Sequence, residues 1–167
     1  MGRTSPPSYN DYDIEKPEKR HKVLGLARWL RSRGVQIDGV GIQGHINLDW
    51  PKLQDLAVAI DEIADEGLLV KISELDISVY TRDDKDKNIM QPECAHSSEL
   101  EEGIAARYAE VFSVLRDKAS KLASVTLWGV SDDQSWLNHW PIKRRNYPLL
   151  FDRQHRPKAA FFSIMRS

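Results

Sequence analysis

One cysteine, Cys94, stands in the whole chain, so an internal disulfide framework is excluded. It lies in a polar stretch between Pro92 and His96, with no second Cys/His pair at zinc spacing, and no metal centre is expected. No apolar run approaches the roughly 20 residues that cross a bilayer. The first residues, Met1 to Asp13, lack a signal-peptide apolar region. The chain is therefore expected either to be intracellular or to be missing its natural N-terminus, and residues 1–8 read as an extraneous or disordered stretch. Excess positive charge is lacking too: 24 Lys and Arg face 25 Asp and Glu, for a net charge of −1. No basic field points to nucleic acid. Neither a G-x-G-x-x-G turn nor a P-loop lysine pattern occurs, which removes the usual glycine-rich phosphate cradles.

What is present is one domain's worth of chain, 167 residues with 41% hydrophobic side chains. Short apolar runs alternate four times with longer helical patterns. A minimal strand at Tyr9–Tyr12 precedes a helix with Val23, Leu26, Ala27 and Leu30 on one face, stopped by Gly34. A glycine-rich strand, Val40 to His45, leads to a helix carrying Leu53, Leu56, Ala57, Ile60, Ile63 and Ala64. Pro51 falls in its first turn and Gly67 at its end. The third strand is Leu69 to Ile77, and a polar loop spans Thr81 to Ser97. A capping box of Ser98 with Glu101 opens the next helix, striped by Ile104, Ala105, Tyr108, Val111, Phe112 and Leu115. "SVTLWGVSDD" gives the fourth strand, and "KAAFFSIM" a final short helix.

Strands separated by helices predict βα units and a parallel sheet. Polar and aromatic residues gather at the C-terminal strand ends: Asn10-Asp11-Tyr12, Gln43 and His45, Glu74 and Asp76, Trp128 and Asp132-Asp133. In a (β/α)8 barrel those ends build the active face, and such a barrel takes about 250 residues. Four units make half of one.

The third strand, "VKISELDISVY", holds the chemistry. Alternation places Val70, Ile72, Glu74 and Asp76 on one face, and Gly41, Gln43 and His45 of the neighbouring strand face the same space. A carboxylate there loses hydration unless it is hydrogen-bonded. An imidazole between two carboxylates can orient one while the other fixes its tautomer. Glu74, His45 and Asp76 thus form a set that keeps Glu74 ionised and aimed. The plain alternative is a capped strand end with a satisfied core histidine; convergence of Gln43, Glu74, Asp76 and Trp128 from three strands argues against it. Trp128 and Trp136 suit the apolar face of a sugar ring. Trp29 and Trp50 read as helical core residues, Trp140 as either core or ligand-facing, and Arg144 and Arg145 as braces of their loop ahead of a reading in which they meet substrate.

"YNDYDIE", "GVGIQGH", "ISELDISVY", "VTLWGVSDDQSWL" and "PLLFDRQHRPKAAFFSI" resemble, in order and spacing, the second half of glycoside hydrolase family 10. Its characteristic members are retaining endo-β-1,4-xylanases built on a (β/α)8 barrel, typically secreted. The resemblance implies that Glu74 is the nucleophile and that His45 and Asp76 hydrogen-bond around it. It also implies that Gln43, Trp128 and Trp136 line the sugar subsite beside the cleaved bond, with Asn10 in the fifth-strand motif. It implies no cofactor. The family's acid/base motif, Trp-Asp-x-x-Asn-Glu on the fourth strand, does not occur in these residues, and "QGH" replaces the commoner Gln-Ser-His. A half-barrel exposes sheet edges, so a homodimer or a complementing N-terminal half is expected. If two copies close a pseudo-barrel, the strand 125–130 of one takes the fourth-strand place for the other. Asp132 then overlays the motif's Asn, and Asp133 becomes a surrogate acid/base across the interface. The implied activity is hydrolysis of β-1,4-xylan or xylo-oligosaccharides. A non-catalytic xylan-binding remnant and a folding module without ligand function stay open beside it.

Overall fold

The computed structural model describes residues 6–82 and 85–166. Its strands are β1 (Ser8–Asp11), β2 (Gly39–Ile42), β3 (His45–Asn47), β4 (Leu69–Ser78) and β5 (Leu122–Leu127). Its helices are α1 (Pro17–Ser32), α2 (Leu53–Asp65), α3 (Lys85–Met90), α4 (Ser98–Asp117) and α5 (Ala159–Arg166). All pairings are parallel: β1 with β2, β2 and β3 with β4, β4 with β5. β2 and β3 are one strand broken at Gly44, whose φ of +81° suits glycine. Successive strands therefore lie side by side without the reversal that defines a doubly wound sheet. The result is the arc of half a (β/α)8 barrel.

The core lies between sheet and helices. Val40, Ile42, Val70, Ile72, Leu75 and Ile77 from the strands meet Val23 and Leu24 of α1, Leu56, Ala59, Ile60 and Ile63 of α2, and Ile104, Tyr108, Val111 and Leu115 of α4. The opposite sheet face is open. Leu69 is exposed, as are Ser124 and Thr126 of edge strand β5.

Several expectations change. β1 begins at Ser8, inside the stretch read as extraneous, while residues 1–5 lie outside the described residues. Leu26 is exposed and Leu24 is buried in its stead: Val23 and Ala27 stay in the core, and the buried face of α1 extends to their Leu24 flank, with Arg20, not to their Leu26 flank. Trp29 is exposed as well, with the Arg33 guanidinium 4.5 Å over its ring. Trp50 precedes α2 rather than lying on it, joined to Pro51 by a cis peptide. Ser97, not Ser98, caps α4 by accepting from Leu100 N at 3.2 Å; Glu101 instead meets His96 Nε2 at 2.8 Å. The polar loop holds α3 (Lys85–Met90), and its Asp83 and Asp84 lie outside the described residues.

Candidate active site

Strict alternation along β4 does not describe how Glu74 reaches the strand ends. Ile72 pairs with Val125 and Leu75 with Leu127, three steps on β4 against two on β5, so β4 carries an extra residue. Val70 and Ile72 consequently face the helix-side core, and Glu74 and Asp76 face the other way. The shared face expected for all four residues is corrected by this bulge. Consecutive residues now reach the same partner: Ser73 Oγ donates to Asn10 Oδ1 at 2.6 Å, and Asn10 Nδ2 donates to Glu74 Oε1 at 2.7 Å. A Cβ on Gly41 would stand 2.5 Å from Asn10 Oδ1, so β2 needs glycine there for Asn10 to reach Glu74.

The other Glu74 oxygen meets His45 Nε2 at 3.2 Å, and His45 Nδ1 meets Asp76 Oδ1 at 3.0 Å. Asp76, 1% exposed, accepts from Trp136 Nε1 at 2.8 Å through its second oxygen. Burial opposes charge on His45, but the hydrogen bond and charge of Asp76, with those of Glu74, outweigh it and raise the imidazole pKa above 6.5. As a cation His45 donates to both carboxylates, which fixes Glu74 in position. The sequence-predicted set of Glu74, His45 and Asp76 is thus brought together.

Around it lies a cavity of about 720 Å³ whose lining includes Gln43, Trp128 and Trp136. Trp128 stands edge-on to His45 with centroids 6.4 Å apart, and Trp136 tilts against His45 at 5.0 Å. Trp140 stacks on Trp136 at 5.2 Å and lines the cavity, extending the aromatic wall. Arg144 is buried, donates to the Asn88 and Gln91 carbonyls, and packs over Tyr80: a brace. Lys16, Arg82, Tyr12 and Asn146 also line the cavity. They sit in loops whose course no local pattern reports, and only proximity to a strand end signals them.

Asp133 does not join this set. It lies beyond β5, exposed, with His155 Nε2 3.4 Å away. Its neighbour Asp132 is buried against Lys158 Nζ at 2.9 Å. Sequence reasoning also passes over Glu15, 2% exposed, whose Oε2 has no hydrogen-bond partner among the described residues. Burial pushes its carboxyl from 4.5 up to about 7. The unfolded chain gives up this proton near 4.5 and the folded chain near 7. Stability is therefore expected to fall as pH rises across that window, by up to about 3 kcal/mol, and to level off above it. Denaturant titrations at a series of pH values check this. Glu15→Gln should flatten the dependence, and an equal slope in both proteins would refute the assignment.

The sequence profile of glycosyl hydrolase family 10 matches residues 6–167. The endo-1,4-beta-xylanase of Geobacillus stearothermophilus is 41% identical over 158 residues, covering 94% of this chain and 47% of that protein. Among solved structures, xylanase B from Clostridium stercorarium F9 superposes with TM-score 0.88 at 38% identity, covering 96% of this chain and 46% of that one. The GH10 xylanase of Thermobacillus composti gives 0.84 at 42% identity, covering 95% and 51%. The chain spans about half the length of the relatives it matches. A profile match over almost its whole length, joined to this fold and to the carboxylate–imidazole set on β3 and β4, places the chain in glycosyl hydrolase family 10.

Proposed function

We propose that this chain is the nucleophile-bearing half of a retaining β-1,4-xylan hydrolase. The observation that carries the reading is Glu74, held through both oxygens by Asn10 and His45 in an aromatic-walled cavity. In the first step Glu74 attacks the anomeric carbon, the aglycone oxygen leaves with the bonding pair, and a glycosyl ester forms. In the second, water cleaves that ester and restores the carboxylate with inversion, so that two inversions retain configuration. Asn10 and His45 steady the carboxylate, and Trp128 and Trp136 offer faces to the sugar.

A retaining enzyme also needs an acid/base carboxyl about 5 to 5.5 Å from the nucleophile. Among the described residues lining the cavity, the other carboxyl is Asp76, committed to His45 and Trp136. The acid is supplied by whatever covers the open sheet face: a complementing half, or a second copy that brings Asp133 to Glu74. The relatives' names as xylanases support xylan as the substrate.

Aryl β-xylosides with good leaving groups need little acid assistance and so test Glu74 alone. The expected result is a covalent adduct of one glycosyl unit, found by intact mass and localised to Glu74 by peptide mapping. Oligosaccharide binding without an adduct would overturn the catalytic reading in favour of a binding remnant. Neither binding nor adduct would leave a folding module.

A further inference from the structure

Asn10 can offer Glu74 either end of its side chain. A carboxamide carries an oxygen and an NH2 of nearly equal size, so shape does not decide which end meets a carboxylate. Gly41, on β2 beside it, has no side chain to key the amide, and hydrogen bonds must make the choice. With Nδ2 towards Glu74 Oε1 at 2.7 Å, the contact is a charge-assisted hydrogen bond. Turned over, the amide sets two oxygens against each other at that distance and pushes the carboxylate away.

The group that selects the favourable orientation is the chain neighbour of Glu74. Ser73 Oγ lies 2.6 Å from Asn10 Oδ1 and is the donor to that oxygen among the described residues. The hydroxyl has a single proton and a second acceptor in reach, the Ile42 carbonyl at 3.3 Å. Given to Asn10, the proton holds Oδ1 away from Glu74. Given to Ile42, it leaves an Oγ lone pair facing Asn10, which Nδ2 satisfies by turning over. The contact at 2.6 Å is the better bond and takes the proton. The β4 bulge makes this possible, because it brings two consecutive residues within reach of one side chain.

We infer that Ser73 is a positioning residue for the nucleophile: its hydroxyl sets the direction of the Asn10 amide, and the amide holds Glu74. The kinetic consequence rests on the reading of Glu74 as the nucleophile; the geometry does not. A serine that merely satisfied the Ile42 carbonyl would leave the direction of the amide unset.

Side-chain amide NMR of the full chain reads the geometry without any turnover. In the parent, the Nδ2 proton bonded to Glu74 should stand well downfield of its geminal partner. In Ser73→Ala the two signals should draw together, and in Ser73→Thr, which returns the hydroxyl, they should stay as in the parent. The kinetic arm is the rate of Glu74 adduct formation with an activated aryl β-xyloside. Ser73→Ala should slow it roughly ten- to hundredfold, the worth of a hydrogen bond to a charged group, while the half-saturating concentration moves less than a few-fold. Ser73→Thr should recover most of the rate. In an Asn10→Ala background, Ser73→Ala should cost nothing further, because the hydroxyl acts through the amide. Asn10 signals unmoved by Ser73→Ala, or an equal rate loss in the Asn10→Ala background, would overturn the assignment. A parent that forms no adduct, while Ser73→Ala still moves the Asn10 signals, would overturn the proposed function and leave the positioning of Glu74 standing.

Discussion

Glu74→Gln is expected to reduce turnover of an activated aryl β-xyloside by a factor on the order of 10⁴ or more, with little change in stability. The amide is nearly isosteric with the carboxylate. Its oxygen can still accept from Asn10 Nδ2, and its NH2 can donate to a neutral His45, so both contacts made by Glu74 find replacements. What is lost is the electron pair that attacks the anomeric carbon. The effect should fall on the chemical step and not on binding: oligosaccharide affinity in the variant should stay within a few-fold of the parent. A second consequence follows from the shared histidine. With Glu74 neutral, one of the two carboxylates that raise the His45 pKa is gone, so the imidazole should titrate lower in the variant than in the parent. Histidine resonances followed against pH would show this even if the isolated chain turned over nothing. Unchanged turnover in Glu74→Gln would remove Glu74 from the mechanism, whatever the family pattern implies.

The two partners of Glu74 differ in how far the sequence reveals them. His45 and Asp76 follow from parity on neighbouring strands, because hydrogen-bonded parallel strands carry their side chains in step. In the structure His45 pairs in register with Asp76. The wider claim, that Val70 and Ile72 share the Glu74 face, fails at the β4 bulge. A bulge is set by how one strand fits its partner, and in "KISELD" its one local trace is the consecutive polar pair Ser73-Glu74, where apolar Ile72 and Leu75 stand three residues apart instead of two. Asn10 was legible as a polar residue at a strand end; its bond to Glu74 depends on Gly41 leaving room.

Helical stripes were legible where apolar spacing is dense, as in α4, and less so in α1. There Leu24 and Leu26 flank the Val23–Ala27 line on opposite sides, and only the packing partner decides which flank is buried. Trp29 misleads because a tryptophan is large enough to be partly covered by one cation on the surface, and its sequence neighbours do not report this. Trp50 does pack against the core, but from the turn before α2 and not from the helix. Lys16 and Arg82 come together only because the loop after β1 meets the loop after β4, a contact 66 residues apart in the chain that no local pattern encodes.

Asp132→Ala should be the most destabilising single substitution in the loop after β5, at about 3 to 5 kcal/mol. Both carboxylate oxygens are used: one accepts from Leu149 N at 2.9 Å, the other from Lys158 Nζ at 2.9 Å. Lys158 is nearly as buried, and besides Asp132 it donates to the Tyr147 carbonyl at 2.8 Å. Removing the carboxylate leaves the buried ammonium with the Tyr147 carbonyl and the more distant Glu101 carboxylate at 3.9 Å, and that lost compensation dominates the loss. Replacing both partners by apolar residues, Asp132→Leu with Lys158→Met, should recover more than half of it. Denaturant unfolding of the two single variants and the double variant checks the coupling. A cost below about 1 kcal/mol for Asp132→Ala would show that the pair does not clamp the loop. The clamp matters to the site because Asp132 also takes part in two backbone ties, its N–H to Phe151 O at 3.0 Å and its carbonyl to Asn138 Nδ2 at 2.7 Å. Together these pin the chain tail to the turn that carries Trp136, and Trp136 in turn donates to Asp76. Loosening Asp132 should therefore blunt the aromatic wall as well as the fold. The same burial bears on the overlay expected for a two-copy barrel. Asp132, placed there on the motif's asparagine, is already committed inside its own chain, while Asp133 beside it is exposed.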